Sequence, residues 1–422
     1  MTQERNPSKV SRRKFLETSS AALAAMAGLP AAAATAQENK QIRSADHHLP
    51  NESEPGPNNT VLDRQNPDSV WAPSTDAGGQ PPFKYSFSLS HKRLESGGWT
   101  RQVTVRDLPV SKKMAGVEMR LIAGGIRELH WHVGAEWALM LYGNARITAV
   151  DQHGRAYIND VKEGDLWIFP GGIPHSIQGL GPDGCRFLLV FDDGSFNEFE
   201  TFLLTDWMTH TPPEVLSKNF NVPESTFEHV PKKELFIFSR DLPRPLAEEK
   251  REVEAETGEV PNSFDFSPSK MQPTKKSKGG EVKIVDRSVW PATNIAAALV
   301  TLKPGGLREL HWHPNEDEWQ YYVSGRGRMT IFAAGGRART MDFEEGDVGY
   351  IEKSAPHYIE NTGETDLVFI EVFPTPFYED ISLAEWLAHT PSRLVDQHIG
   401  VGEEMLRGIG KREAVVTPVE PA

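Results

Sequence analysis

Cysteine is almost absent: Cys185 is the only one in 422 residues. A lone thiol excludes both an intramolecular disulfide and a thiolate metal cluster, so any metal bound here has nitrogen and oxygen ligands. Long apolar runs are missing too. The Ala-rich stretch over 21–36 is short and broken by Gly28 and Pro30, which argues against a transmembrane helix and a membrane partner. Positive charge is in deficit, with 45 Lys and Arg against 59 Asp and Glu and a formal net charge of −14. A chain so acidic lacks the basic face that nucleic acid needs. It is no natural lure for an anion either, so an anionic substrate has to be captured by local groups.

What is present points to two domains, since 422 residues with 38% apolar content can build two cores. The stretch "SRRKFLETSS" (11–20) sets Arg12 and Arg13 ahead of the Ala-rich region, which ends in "ATA" (34–36) before Gln37. This resembles a twin-arginine export signal, so residues 1–36 are expected to be an address and the mature protein periplasmic or secreted. Residues 37–82 are polar and rich in Pro, Asn and Gly, as in an arm. Short β-patterned runs follow, such as "GVEMRLI", "ARITAV" and "RFLLVF", separated by turn signals. After a charged, Pro-punctuated stretch the pattern restarts with "IAAALVTL", "GRMTIFA" and "LVFIEVF". The predicted organisation is an all-β chain of two domains, 83–238 and 265–410, joined by a linker over 239–264 and followed by a tail over 411–422.

The repeat is numerical as well as visual. "RELHWH" stands at 127–132 and again at 308–313, so His130 and His311 are 181 residues apart, and His175 and His357 are 182 apart. The spacing from Glu136 to His175 and from Glu318 to His357 is 39 in both copies, which places the one extra residue in the turn between His313 and Glu318. A period this long marks a duplicated domain and not a solenoid. On a strand His130 and His132 share one face. Glu136 starts the next strand, and His175 arrives later beside them. His311, His313, Glu318 and His357 repeat the plan. A single H-x-H is commonly two solvated strand residues, but two matching quartets of three imidazoles and a carboxylate read as metal sites. Mn, Fe, Co, Ni, Cu and Zn all suit that ligand set.

The first pattern, G-x5-H-x-H-x3,4-E-x6-G, is met by Gly124, His130, His132, Glu136 and Gly143, and again by Gly305, His311, His313, Glu318 and Gly325. The second, G-x5-P-x-G-x2-H-x3-N, is met by Gly164, Pro170, Gly172 and His175, with Gly179 in place of Asn. Its other copy keeps Gly346, His357 and Asn361 but has Glu352 and Ser354 for Pro and Gly. These motifs resemble those of the bicupins, proteins of two tandem cupin (jelly-roll) barrels. Within them "FDDGSF", "LTDW" and "DEWQYY" resemble the bacterial and fungal oxalate decarboxylases. The resemblance runs from about residue 60 almost to the C-terminus. It implies conversion of oxalate to formate and carbon dioxide with two Mn(II) per chain, dioxygen as co-catalyst, and a homohexamer.

It also implies roles for particular residues. Arg127 and Arg308, three residues before the first histidine of each copy, would bind and polarise a carboxylate. Phe191 to Trp207 spans 16 residues and Phe373 to Trp386 only 13, so the first domain carries the longer loop. In the family this loop, 192–202 here, is a mobile lid whose glutamate moves the proton. Glu198 falls at the matching position and Thr201 beside it as a substrate-binding group. The family's Ser-Glu-Asn-Ser-Thr reads Asn197-Glu198-Phe199-Glu200-Thr201 here, which changes the lid's size and charge. Glu371 matches the second-site glutamate, as a proton donor there or as a group orienting Arg308. Oxalate oxidase, yielding carbon dioxide and hydrogen peroxide, is the alternative enzyme. A storage or binding bicupin is the non-enzymatic one. Trp131 and Trp312 face away from the metals and are expected to pack.

Overall fold

A computed structural model describes residues 59–253, 258–410 and 414–418. The expected export signal 1–36, residues 37–58 of the arm and much of the tail lie outside the described residues. The rest forms two antiparallel β-barrels of the predicted class. In the first, Gly125–Trp131 pairs with His175–Gly179, which sets His130 opposite His175. In the second, Leu307–Trp312 pairs with His357–Asn361 and sets His311 opposite His357. Each metal-bearing strand carries a register shift just before its first histidine, after Arg127 in one and after Arg308 in the other. The shift breaks strict alternation, so Arg127, Glu128 and His130 are all buried.

The long strand Glu136–Val150 begins at the first site and serves both sheets of its barrel. Gly143 lies in its middle at φ +73°, where an added Cβ would meet the Gly184 carbonyl at 2.0 Å. Only glycine fits that bend. Gly325 plays the same part in the second barrel, at φ +87° and 2.6 Å from the Asp366 carbonyl. The terminal glycine of the first motif is therefore a corner of the barrel and not part of the chemistry.

The division at 83–238 and 265–410 is crossed in both directions. Lys84–Ser86 pairs with Asp347–Ile351 of the second barrel, while Asp265–Phe266 pairs with Leu166–Phe169 of the first. One core joins them, with Trp137 and Leu188 from one side meeting Trp290, Trp319 and Tyr321 from the other. Each large buried side chain contributes roughly 1.5–3 kcal/mol, so the barrels act as one body. Within 239–264, Leu246–Val253 is helical. The described part of the arm lies on the hairpin of the second barrel: Asp76 accepts from Thr340 N and Oγ1, and Asp68 accepts from Asp342 N. Among the described residues no helix is long and apolar enough to cross a membrane.

Candidate metal centres and lid

The strand pairings bring both quartets together. His130, His132, Glu136 and His175 are all buried, and their ligand atoms lie within 4.8 Å of one another; His311, His313, Glu318 and His357 do the same. Donors about 2.1 Å from a shared ion are at most roughly 4.2 Å apart, so small shifts close either cage on a metal. The polar atoms confirm the fit. Nε2 of His132, His175, His311, His313 and His357 has no hydrogen-bond partner, and neither have both carboxylate oxygens of Glu136 or Oε2 of Glu318. Buried polar atoms are seldom left unpaired, and here the unpaired ones converge.

The opposite ring nitrogen explains the aim of most imidazoles. His130 Nδ1 bonds to the Glu128 carbonyl at 2.5 Å, His175 to Ile173 at 2.8 Å, His311 to Glu309 at 2.6 Å and His357 to Ala355 at 3.0 Å. Each of these bonds reaches back two residues along the same strand or turn. A donating Nδ1–H fixes the tautomer that leaves the Nε2 lone pair facing inward. Burial, reinforced by Arg127 and the neighbouring imidazoles, holds His130 well below its ordinary pKa; burial and Arg308 do the same for His311. Neutral rings are what metal ligation requires. In the second cage burial pulls His313 down, but Glu318 outweighs it and raises the ring. Glu318 sits 3.1 Å from His313 and 3.0 Å from His357, whereas the corresponding gaps from Glu136 are 3.8 and 3.4 Å.

Beside the first cage, Arg127 Nε donates to Glu198 Oε1 at 2.9 Å and Nη2 donates to Thr201 Oγ1 at 3.0 Å. Glu198 is only 1% exposed, and its Oε2 has no partner. Burial pushes its carboxyl above the ordinary range and Glu136 adds to this, against the pull of Arg127. The lid is rooted by Asp192 Oδ1, which accepts from Ala135 N. Phe196 stacks on Phe191 with ring centres 3.5 Å apart and lies edge-on to His132. Phe199 and Glu200 are exposed.

The second centre is closed differently. Arg308 Nε donates to Glu371 at 3.3 Å, while Nη2 donates to Tyr378 Oη at 2.5 Å and Asp380 Oδ2 at 2.7 Å. Glu371 is on a strand, and burial pushes its carboxyl up to about 7 against the pull of Arg308. The shorter loop is tied to the cage, because His313 Nδ1 bonds to the Glu379 carbonyl at 2.8 Å. Arg308 thus has three anionic or phenolic partners already.

Several of these residues escaped sequence reasoning. Glu128 lies between Arg127 and His130 yet turns outward to accept from Thr205 N and Oγ1, Leu235 N and Phe236 N. It anchors the end of the lid to the metal-bearing strand. Glu309 is its counterpart and accepts from Ser382 Oγ and Val415 N. Phe236 and Val415 have φ of +53° and +60°, a strained region for such side chains. There each turns its carbonyl toward an arginine, Arg127 or Arg308. The glutamate repeated in "RELHWH" was a visible signal, but its partners lie about 75–110 residues away. Trp131 and Trp312 do face away from the cages, against Phe202 and Trp207 in one barrel and Trp386 in the other.

Comparison with known proteins agrees with this architecture. The cupin family model matches twice, over residues 87–227 and 266–407. The chain is 51% identical over 358 residues to oxalate decarboxylase of Bacillus subtilis, covering 85% of this chain and 92% of that one. This chain is a bicupin of the oxalate decarboxylase family. A probable oxalate decarboxylase of Arthroderma benhamiae is 42% identical, over 86% of this bicupin and 89% of its relative. Among solved structures, B. subtilis oxalate decarboxylase studied for its Mn(II) centres superposes with a TM-score of 0.83 at 50% identity, covering 86% of this bicupin and 95% of that chain. The same enzyme at pH 4.6 gives 0.83 at 48%, covering 89% and 99%.

Proposed function

We propose that this bicupin is a manganese- and dioxygen-dependent oxalate decarboxylase that converts oxalate to formate and carbon dioxide at its first centre. The observation that carries the reading is the buried Arg127–Glu198 pair beside a complete nitrogen and oxygen cage, with Glu198 Oε2 unpaired. Manganese held by His130, His132, Glu136 and His175 supplies reversible one-electron chemistry, which zinc lacks. Arg127 supplies a planar fork for a carboxylate that enters while the lid is displaced and is held there as the lid closes Glu198 back over it. Its charge compensates the substrate's and favours carboxylate binding in an otherwise acidic protein. Glu198 takes the proton from hydrogen oxalate and returns it to carbon, so that formate leaves instead of a more oxidised product. Burial favours its protonated form, which suits it as the acid in the second step. Closure of 192–202 keeps water from the reacting carbon. His311, His313, Glu318 and His357 hold the second manganese, with Glu371 and Arg308 beside it in an accessory role.

The test is a product balance on the purified, manganese-loaded protein. Formate and carbon dioxide in equal amounts, with little peroxide, support the reading. Abundant peroxide without formate makes the protein an oxidase.

Export by the twin-arginine route and a periplasmic or secreted location are part of the same proposal, supported by Arg12, Arg13 and the "ATA" before Gln37. A mature N-terminus at Gln37 in the secreted fraction checks it. Assembly into a homohexamer is supported by apolar side chains exposed behind each cage, notably Trp207 at 64% and Trp386 at 56%. Sedimentation gives the mass directly.

A further inference from the structure

Every ligand of the first cage is at most 5% exposed, and Arg127 and Glu198 are 1% exposed. Oxalate reaches them only if something moves. The segment 192–202 is the natural candidate, because it supplies Glu198 and Thr201 to Arg127 while its Phe199 and Glu200 face solvent. What holds it shut is then a question of its other contacts.

At its root the segment is held by Asp192 and Phe196; over the turn that carries Glu198, the contacts come from one hairpin, Arg93–Glu95 with Gly98–Val103. Gln102 Oε1 accepts from the main-chain N–H of Glu198 at 3.0 Å, and its Nε2 donates to Asn197 Oδ1 at 3.3 Å. The same Asn197 oxygen accepts from Phe199 N and so starts the single turn Glu198–Glu200. Gln102 therefore grips the turn at the residue whose side chain carries the acid. On the next residue, the guanidinium carbon of Arg93 lies 5.6 Å from the Phe199 ring centre and 3.7 Å from that of Phe236. Phe199 and Phe236 are themselves 6.1 Å apart. Arg93 cannot swing freely, since Nε donates to Glu95 at 2.6 Å and Nη2 to Glu234 at 2.7 Å. A cation held within about 6 Å of an aromatic face is attracted to it. An exposed phenylalanine at this point of the segment otherwise has no evident reason to be there.

We infer that this hairpin is the clasp of the lid, with Gln102 and Arg93 as positioning residues that hold Glu198 over the first centre. The inference rests on the decarboxylase reading for its consequence but not for its geometry. With the clasp closed, hydrogen oxalate gives formate and carbon dioxide. With it open, Glu198 is away from the carbon. Oxalate then passes two electrons to dioxygen, which takes two protons and leaves as peroxide beside two carbon dioxide molecules. The clasp thus sets the share of turnovers that end as formate.

The experiment follows amide hydrogen exchange of residues 192–202 in the manganese-loaded full chain, with formate and peroxide counted in parallel. Phe199→Ala should speed lid exchange about two- to fivefold, and Gln102→Ala about tenfold. The peroxide share should rise in the same order while manganese content stays constant. Phe199→Tyr keeps an aromatic face and should keep the lid closed, whereas Phe199→Leu keeps apolar bulk without that face and should exchange like Phe199→Ala, an outcome that a merely space-filling role would not give. Since Phe199 is half exposed, its variants do not threaten folding. Unchanged lid exchange in Phe199→Ala, or a lid in Phe199→Tyr as open as in Phe199→Ala, overturns the clasp. Should the unaltered protein make no formate, the decarboxylase reading fails, and lid exchange still decides the clasp.

Discussion

Replacing Glu198 by Gln changes one atom and isolates one step. The amide keeps the volume, and its oxygen can take over the 2.9 Å bond from Arg127 Nε. Its nitrogen then stands where Oε2, unpartnered and facing the site, stood before. Nothing in the cage is touched, so manganese should bind at the same stoichiometry and the melting temperature should move little. What is lost is a group able to take and return a proton. General acid–base catalysis contributes typically 10²–10⁴-fold, which at about 1.36 kcal/mol per decade is ~2.7–5.4 kcal/mol of barrier. Formate release should fall by that factor, with the residual turnover richer in peroxide because dioxygen competes for oxalate that carbon protonation no longer removes. The assay is formate and peroxide release from protein of verified metal content. Formate release within tenfold of the unaltered protein would refute the role of Glu198 and move proton transfer to another group.

Other perturbations separate the two centres and the arm. His357→Ala should lower manganese from two per chain to one by elemental analysis while leaving the lid's exchange unchanged. Removing both metals with a chelator should lower the melting temperature, since a ligand present at 100 times its dissociation constant stabilises a fold by about 2.7 kcal/mol. Arg308→Lys should leave formate turnover per bound manganese within about tenfold, whereas Arg127→Lys, which loses the planar fork, should lose more than that. The arm should be pH-sensitive. Burial, then the neighbouring Asp342, raises Asp68 to about 8 from its ordinary 3.8. The docked arm therefore keeps a proton that the undocked arm sheds above about pH 4. Its docking is strongest in acid and weakens as pH rises from about 4 to 8. Limited proteolysis near residues 59–80 should show this pH dependence, and Asp68→Asn should remove it.

The metal cages were legible because their information is local: H-x-H on a strand and a glutamate four or five residues on survive any error in strand boundaries. The all-β class was legible from alternation and turns, the barrels only from the resemblance carried by the motifs, and the duplication from subtraction alone. The strand exchange was not, because Lys84–Ser86 and Asp265–Phe266 are short and pair with strands in the other domain. Nothing in three residues of sequence names a partner some 260 positions away. The same limit hid Glu128. Its repetition inside "RELHWH" was visible, but its four donors come from Thr205, Leu235 and Phe236, and its role is to tie three segments together. Gln102, Tyr378 and Asp380 were invisible for the same reason, since their meaning is set by what the fold brings near them.

The two copies differ at the point where a substrate would have to enter. Arg127 and Arg308 occupy equivalent positions, and each is backed by a carbonyl from a residue of positive φ. The difference is where the opposing carboxylate is mounted. Glu198 and Thr201 ride on a loop three residues longer, so displacing that loop frees the guanidinium and removes the acid together. Glu371 sits on a strand paired on both sides, and Asp380 and Tyr378 sit on a loop bonded to His313 through Glu379. Freeing Arg308 would mean breaking a charge-assisted bond, a phenol contact and a sheet. Buried hydrogen bonds to charged groups are each worth about 1.5–3 kcal/mol, so an oxalate ion entering there would have to replace several at once. Duplication supplied two cages, and the mounting of one carboxylate left a single one able to open.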